Sequence, residues 1–178
     1  MNIKTRPFTV GELQALLLHS PEPWRSIFHL AYATGLRISD LLQIPYSTGH
    51  SSISVVEKKT GIERQIRITP SIAYDIQTIQ NHGTLRVRKY LLPCRDVSSY
   101  RKAIVRYAAL AKIDLDRIAF HSLRKTCATH ISENIGVIAA NQFLAHKSLN
   151  TTMRYIEQDV IVVSDFLEAQ THLIARLS

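Results

Sequence analysis

Arg37, Lys59, His121, Arg124, His146 and Tyr155 are the residues whose types and order point to chemistry. The densest stretch is the last. The tetrad His121-Ser122-Leu123-Arg124 is followed by Leu144-Ala145-His146, and nine residues after that histidine comes Tyr155. Cations, two imidazoles and a phenol stand together there, with no cluster of carboxylates to hold a metal. Such a set suits one reaction well: attack of a tyrosine on a phosphodiester whose charge the cations offset.

The elements that must position these groups can be read from spacing. Thr9 with Glu12 forms a capping box, and Leu13, Leu16 and Leu17 predict a helix over about 10–18. Trp24, Ile27, Phe28 and Ala31 sit at i, i+3, i+4, i+7, a buried stripe, and Gly35 ends that helix as a left-handed residue. A short helix follows, with Ile38, Leu41 and Leu42 inward. Arg37, between Leu36 and Ile38, is part-buried on this reading and needs an anion. Asp40 is the candidate to orient it, although an ordinary surface pair fits the same residues.

Ile53 and Val55, then Ile66 and Ile68, alternate with polar residues around the turn Lys59-Thr60-Gly61. This predicts a β-hairpin with Lys59 at the turn end of its first strand and Lys58 on the opposite face. A helix opens at Pro70-Ser71 and buries Ile72, Ile76 and Ile79, and Tyr90-Leu91-Leu92 is expected to add a third strand. Ser98 is expected to cap a long helix with Tyr100, Ile104 and Tyr107 inside. Its other side carries Lys102 and Arg106, a face that fits phosphate contact and equally plain solvation.

His121 and Arg124 are three apart, hence neighbours at the start of a helix over about 122–132, where the helix dipole favours an anion. A helix over 136–144 uses Val137, Ala140 and Leu144, and a last amphipathic helix shows Phe166, Ala169, Leu173 and Leu177 at helical spacing. The segment 1–8 reads as a linker or tail and 9–178 as one domain.

A chain of 178 residues with 46% hydrophobic content can bury a core, which excludes disorder. No apolar run nears the ~18 residues of a membrane helix, and no signal peptide is present. A soluble, cytoplasmic protein is expected. Cys94 and Cys127 give neither a disulfide framework nor metal spacing. The net charge of +8 permits binding to a polyanion without requiring it.

Taken in order, these motifs resemble the catalytic domain of the tyrosine recombinases, the phage-integrase family. The stretch from Ala33 to Leu42, with Gly35, Arg37 and Asp40, is similar to the family's first arginine box. Lys59-Thr60-Gly61 resembles its hairpin lysine motif, and His121-Ser122-Leu123-Arg124-Lys125-Thr126 its H-x-L-R box. Leu144-Ala145-His146 is similar to L-G-H, with alanine for glycine. The run Thr151–Tyr155 resembles the nucleophile segment. The resemblance covers roughly residues 8–157 and implies that 9–178 is a catalytic domain with no N-terminal core-binding domain ahead of it.

It implies an α+β, mainly α-helical fold: a tyrosine-recombinase catalytic domain with a small three-stranded antiparallel sheet on a helical core. It implies that Arg37 and Arg124 clamp the non-bridging oxygens, aided by His146. His121 would help move the tyrosine proton, Lys59 would protonate the leaving 5′-oxygen, and Tyr155 would form a 3′-phosphotyrosine. No metal or cofactor is needed on this scheme. Lys58, Lys102, Arg106, Lys125 and Lys147 are candidate DNA contacts.

The partners implied are double-stranded DNA and a homotetramer on paired sites, monomeric or weakly associated without DNA. The last helix is a candidate for docking on a neighbouring protomer. Integration, excision or inversion is the expected outcome. The alternatives are relaxation in the manner of type IB topoisomerases, or a catalytically silent DNA-binding regulator.

Overall fold

Helix α2 (Trp24–Thr34) is the element on which the others pack, because every residue from Ser26 to Thr34 is buried. The computed structural model describes residues 4–47, 51–82, 89–144 and 156–176, and in the last of these segments the side chains of 161–172. Around α2 lie α1 (Val10–Leu18), α4 (Pro70–Asn81), α6 (His121–Asn134) and α8 (Ile156–Arg176). The capping box at α1 forms as expected: the Glu12 N–H donates to Thr9 Oγ1 at 3.2 Å, and the Thr9 N–H donates to Glu12 Oε2 at 2.9 Å. Trp24 and Phe28 present one side of α2 to Tyr100 and Tyr107 of α5 (Val97–Leu110) and to Phe120, with ring centroids 5.7–6.2 Å apart. These aromatic pairs fix the α2–α5–α6 geometry through shape as well as burial.

Gly35 ends α2 at φ +60°. A Cβ at this position would meet Leu144 Cδ2 at 2.6 Å and Cys127 Sγ at 3.3 Å. Glycine is required there twice over, by backbone conformation and by close approach. The turn leads into the short helix α3 (Ile38–Leu41), with Arg37 as its N-cap residue.

Strands β1 (Ser52–Val56) and β2 (Glu63–Arg67) pair antiparallel, in the register Ser52↔Arg67 to Val56↔Glu63. Alternation buries Ile53, Val55, Arg64 and Ile66. Among the described residues the sheet has two strands, not three. Tyr90 bridges Pro45 instead, the Leu91 N–H donating to Ile44 O and the Tyr46 N–H to Lys89 O. The local β-propensity was correct, but propensity names no partner strand, and the stretch after α3 was nearer. β1 also ends at Val56, so Lys58 and Lys59 lie in the turn and both are exposed.

Three further expectations are corrected. Asp96, not Ser98, caps α5, its carboxylate accepting the Ser98 N–H at 2.9 Å. In α7 (Val137–Phe143), Val137 is exposed while Ala139, Ala140 and Phe143 face inward. Among the described side chains of α8 the buried stripe is Val163, Ser164 and Leu167, with Ala169 exposed and Phe166 half-buried; Leu173 and Leu177 lie outside them. Polar anchors set that rotation: Glu168 accepts from the Ser71 N–H at 3.1 Å, and Asp165 pairs with Arg67 at 2.6 Å. Helix α8 therefore packs on its own chain. No helix among the described residues is long and apolar enough to cross a membrane.

A third anchor of α8 is ionic. His29 Nδ1 lies 2.5 Å from Asp75 Oδ2, and His29 Nε2 lies 2.8 Å from Thr171 Oγ1. Thr171 gives its own proton to Leu167 O at 2.9 Å. Nε2 must then be a donor, and with an ionised Asp75 accepting from Nδ1 the ring is an imidazolium. Burial opposes that charge, but Asp75, followed by Glu168 and Glu22, outweighs it and raises the His29 pKa. A raised histidine pKa adds stability below the unfolded value of about 6.5, and this is lost as pH climbs through the folded value. The stability advantage of wild type over His29→Gln is expected to shrink as pH rises above about 6.5 in thermal melts; an advantage constant with pH would contradict the assignment.

Candidate active site

Arg124 lies one turn into α6 with its side chain buried. Its guanidinium is locked from three directions: Nη1 donates to Gly35 O at 2.7 Å and to Glu57 Oε1 at 3.3 Å, and Nη2 to Leu144 O at 2.8 Å. The Gly35 turn and the end of α7 thus converge on one arginine. Burial, and then the charge of Arg37, push its pKa down to about 10, against the pull of Glu57. It remains a cation at neutral pH.

Arg37, expected to need an anionic partner, has two. Asp40 Oδ2 lies 3.7 Å from its Nη1, and the same Nη1 donates to Glu57 Oε2 in a short hydrogen bond. Asp40 has a second task as well: its Oδ1 accepts the Lys58 N–H at 3.1 Å, tying the hairpin turn to α3.

Glu57 is the residue that sequence reasoning missed. It is fully buried and gathers Arg37, Arg64 and Arg124, while Thr60 Oγ1 donates to its Oε2 at 3.1 Å. Burial raises a carboxyl pKa, but the three guanidiniums outweigh it and hold Glu57 below its ordinary value. Arg64, also missed, donates to Glu57 Oε1 at 3.3 Å and to Thr34 O at 3.0 Å, and its guanidinium stands 5.3 Å from the Phe143 ring centre. A signal for both residues was present. Continuing the inward phase of Ile53 and Val55 reaches Glu57, and stepping back from Ile66 reaches Arg64. Opposite charges on the buried phase of one hairpin imply an internal pair.

His121, the first residue of α6, is exposed at the edge of this cluster. Partial desolvation, then the charges of Arg124, Lys125, Arg37 and Lys59, lower its pKa. The ring is therefore neutral at pH 7 and available to accept a proton. Arg37, Lys59, His121 and Arg124 are thus brought together electrostatically. Lys125 donates to Thr5 O and is half-buried, so it braces the N-terminal segment. Lys102 and Arg106 share the exposed face of α5. His146, Lys147 and Tyr155 lie outside the described residues.

Residues 8–160 match the phage integrase family. The chain is 28% identical over 170 residues to tyrosine recombinase XerD of Haemophilus ducreyi, covering 84% of this chain and 57% of that protein. It is 31% identical over 158 residues to the probable integrase/recombinase YoeC of Bacillus subtilis, covering 84% of this chain and 86% of that one. The chain spans about half the length of the XerD proteins it matches, 57% and 46% of two of them. A lambda integrase tetramer bound to a Holliday junction has the same fold, with TM-score 0.66 at 19% identity over 87% of this chain and 51% of that one. With 153 of its 178 residues matched (8 through 160), the chain belongs to the phage integrase family.

Proposed function

We propose that this domain cleaves and rejoins double-stranded DNA through a covalent 3′-phosphotyrosine at Tyr155, as the catalytic domain of a site-specific recombinase. The observation that carries this is the convergence of Arg37 and Arg124, 87 positions apart in the chain (124 − 37), on a single buried carboxylate. Beside them lie a neutral His121 and the turn lysine Lys59. Two permanently charged forks held in register match the two non-bridging oxygens of a phosphodiester.

In the forward step the Tyr155 oxygen bonds to phosphorus and the bond from phosphorus to the 5′-oxygen breaks. His121 takes the phenol proton, and Lys59 gives a proton to the departing 5′-oxygen. Arg37, Arg124 and His146 stabilise the charge that builds on the remaining oxygens. The reverse sequence, with another strand's 5′-hydroxyl as nucleophile, rejoins the DNA. Lys58, Lys102 and Arg106 contact phosphates flanking the site, and the domain works where DNA is present, in the cytoplasm. The lambda integrase tetramer on its four-way junction supports a tetramer on paired sites.

A nicked suicide DNA substrate tests the reaction. Wild type is expected to form a covalent adduct that mass spectrometry maps to the peptide containing Tyr155. Binding with no adduct on any candidate attachment site would instead favour a silent regulator. A two-site plasmid then separates recombination from relaxation.

Lys59→Ala is expected to slow cleavage of an ordinary phosphodiester by about 10²–10⁴-fold, the usual contribution of a positioned acid. A 5′-thio leaving group departs without a proton and should restore the rate. Equal defects on both substrates would remove Lys59 from the acid role.

A further inference from the structure

We propose that Glu57, neutralised from behind by Arg64, is the positioning residue that aims the two phosphate-binding arginines and ties the lysine-bearing turn to them. The inference rests on the strand-transfer function proposed above.

Arg37 and Arg124 must hold like charges close together before any phosphate arrives. Left alone they would repel and splay. Glu57 prevents this by accepting from both, one on each carboxylate oxygen: Arg124 at Oε1 and Arg37 at Oε2. Arg64 Nη1 adds a second donor to Oε1, and Thr60 a second to Oε2. Each carboxylate oxygen is thereby fixed by two donors. Arg64 is 7% exposed and spends Nη2 on Thr34 O. Its guanidinium stands against the Phe143 ring, and its charge balances the carboxylate from that side.

The backbone of Glu57 closes the turn. Its N–H donates to Ile62 O at 2.9 Å, and its carbonyl accepts from the Gly61 N–H at 2.8 Å and the Thr60 N–H at 3.3 Å. Lys59 sits two residues further along, inside this bonded loop. One residue thus couples the clamp to the proton donor, and movement of the turn carries both.

The test is a single-turnover cleavage rate constant on the suicide substrate, measured beside DNA affinity. A rate constant does not depend on the folded fraction, which changes only the amplitude. Glu57→Gln keeps the volume, removes the charge and turns an N–H₂ toward a guanidinium. Its rate constant is expected to fall about 100-fold, the scale of a ~1 Å misalignment of reacting groups. DNA affinity is expected to stay level or tighten, because the site gains net positive charge.

Glu57→Asp keeps the charge but withdraws it by one methylene. A fall of about 10-fold in rate, with affinity unchanged, is expected on the same misalignment scale, and this variant serves if the glutamine form does not fold. Rates within ~3-fold of wild type in either variant would overturn the proposal. So would a faster Glu57→Gln, which would make the carboxylate a competitor for the arginines rather than an aligner. Absence of an adduct with wild type would instead overturn the strand-transfer reading itself.

Discussion

Arg124→Ala is expected to abolish detectable DNA cleavage and to lower the melting midpoint by roughly 5–10 °C. The two losses share one cause. The guanidinium satisfies Gly35 O, Leu144 O and one oxygen of Glu57, all in the interior. Removing it strands two carbonyls, at about 1–3 kcal/mol each if nothing replaces the bond. It also breaks a buried ion pair, commonly about 3–5 kcal/mol. Relief of the burial that chiefly holds the Arg124 pKa at about 10, and of repulsion with Arg37 and Arg64, returns part of that. The net cost is therefore expected near 3 kcal/mol, well below the sum.

Arg124→Lys separates charge from geometry. Lysine keeps the cation but has no fork to span Gly35 O and Leu144 O while also meeting a phosphate. Cleavage is expected to fall about 10²–10³-fold, as when one preorganised donor to a developing oxyanion is lost. Near-wild-type cleavage by Arg124→Lys would mean that charge alone suffices, and the three-way lock would then serve only the fold.

The second large effect is at Tyr155. Tyr155→Phe deletes one oxygen and should reduce adduct formation by more than about 10⁴-fold, the scale seen when a nucleophile is removed. DNA affinity should stay within about 3-fold, since phosphate contacts carry most of it. Ile156, the next residue, begins α8, and that helix is anchored in cis by Asp165, Glu168 and Thr171. Melting behaviour should accordingly match wild type. An adduct formed by Tyr155→Phe would assign the nucleophile to another residue.

Sequence alone determined whatever depends on near neighbours. Thr9 and Glu12 specify a cap, Gly35 a left-handed turn, and the three-residue spacing of His121 and Arg124 one helical face. These signals are local because backbone geometry is local. The family, and the identity of the six candidate groups, followed from such motifs kept in order. The spacing of residues could not say which distant charges would meet. Asp40 was the nearest carboxylate to Arg37 in sequence, yet the shorter bond goes to Glu57, on a different element. Likewise the stretch at Tyr90 had strand character, but only packing chose residues 44–46 over the hairpin as its partner. A buried charge takes whichever opposite charge the fold brings within reach, and an extended segment pairs with whichever edge is free. Both choices belong to the assembled chain, and the clamp around Glu57 exists only there.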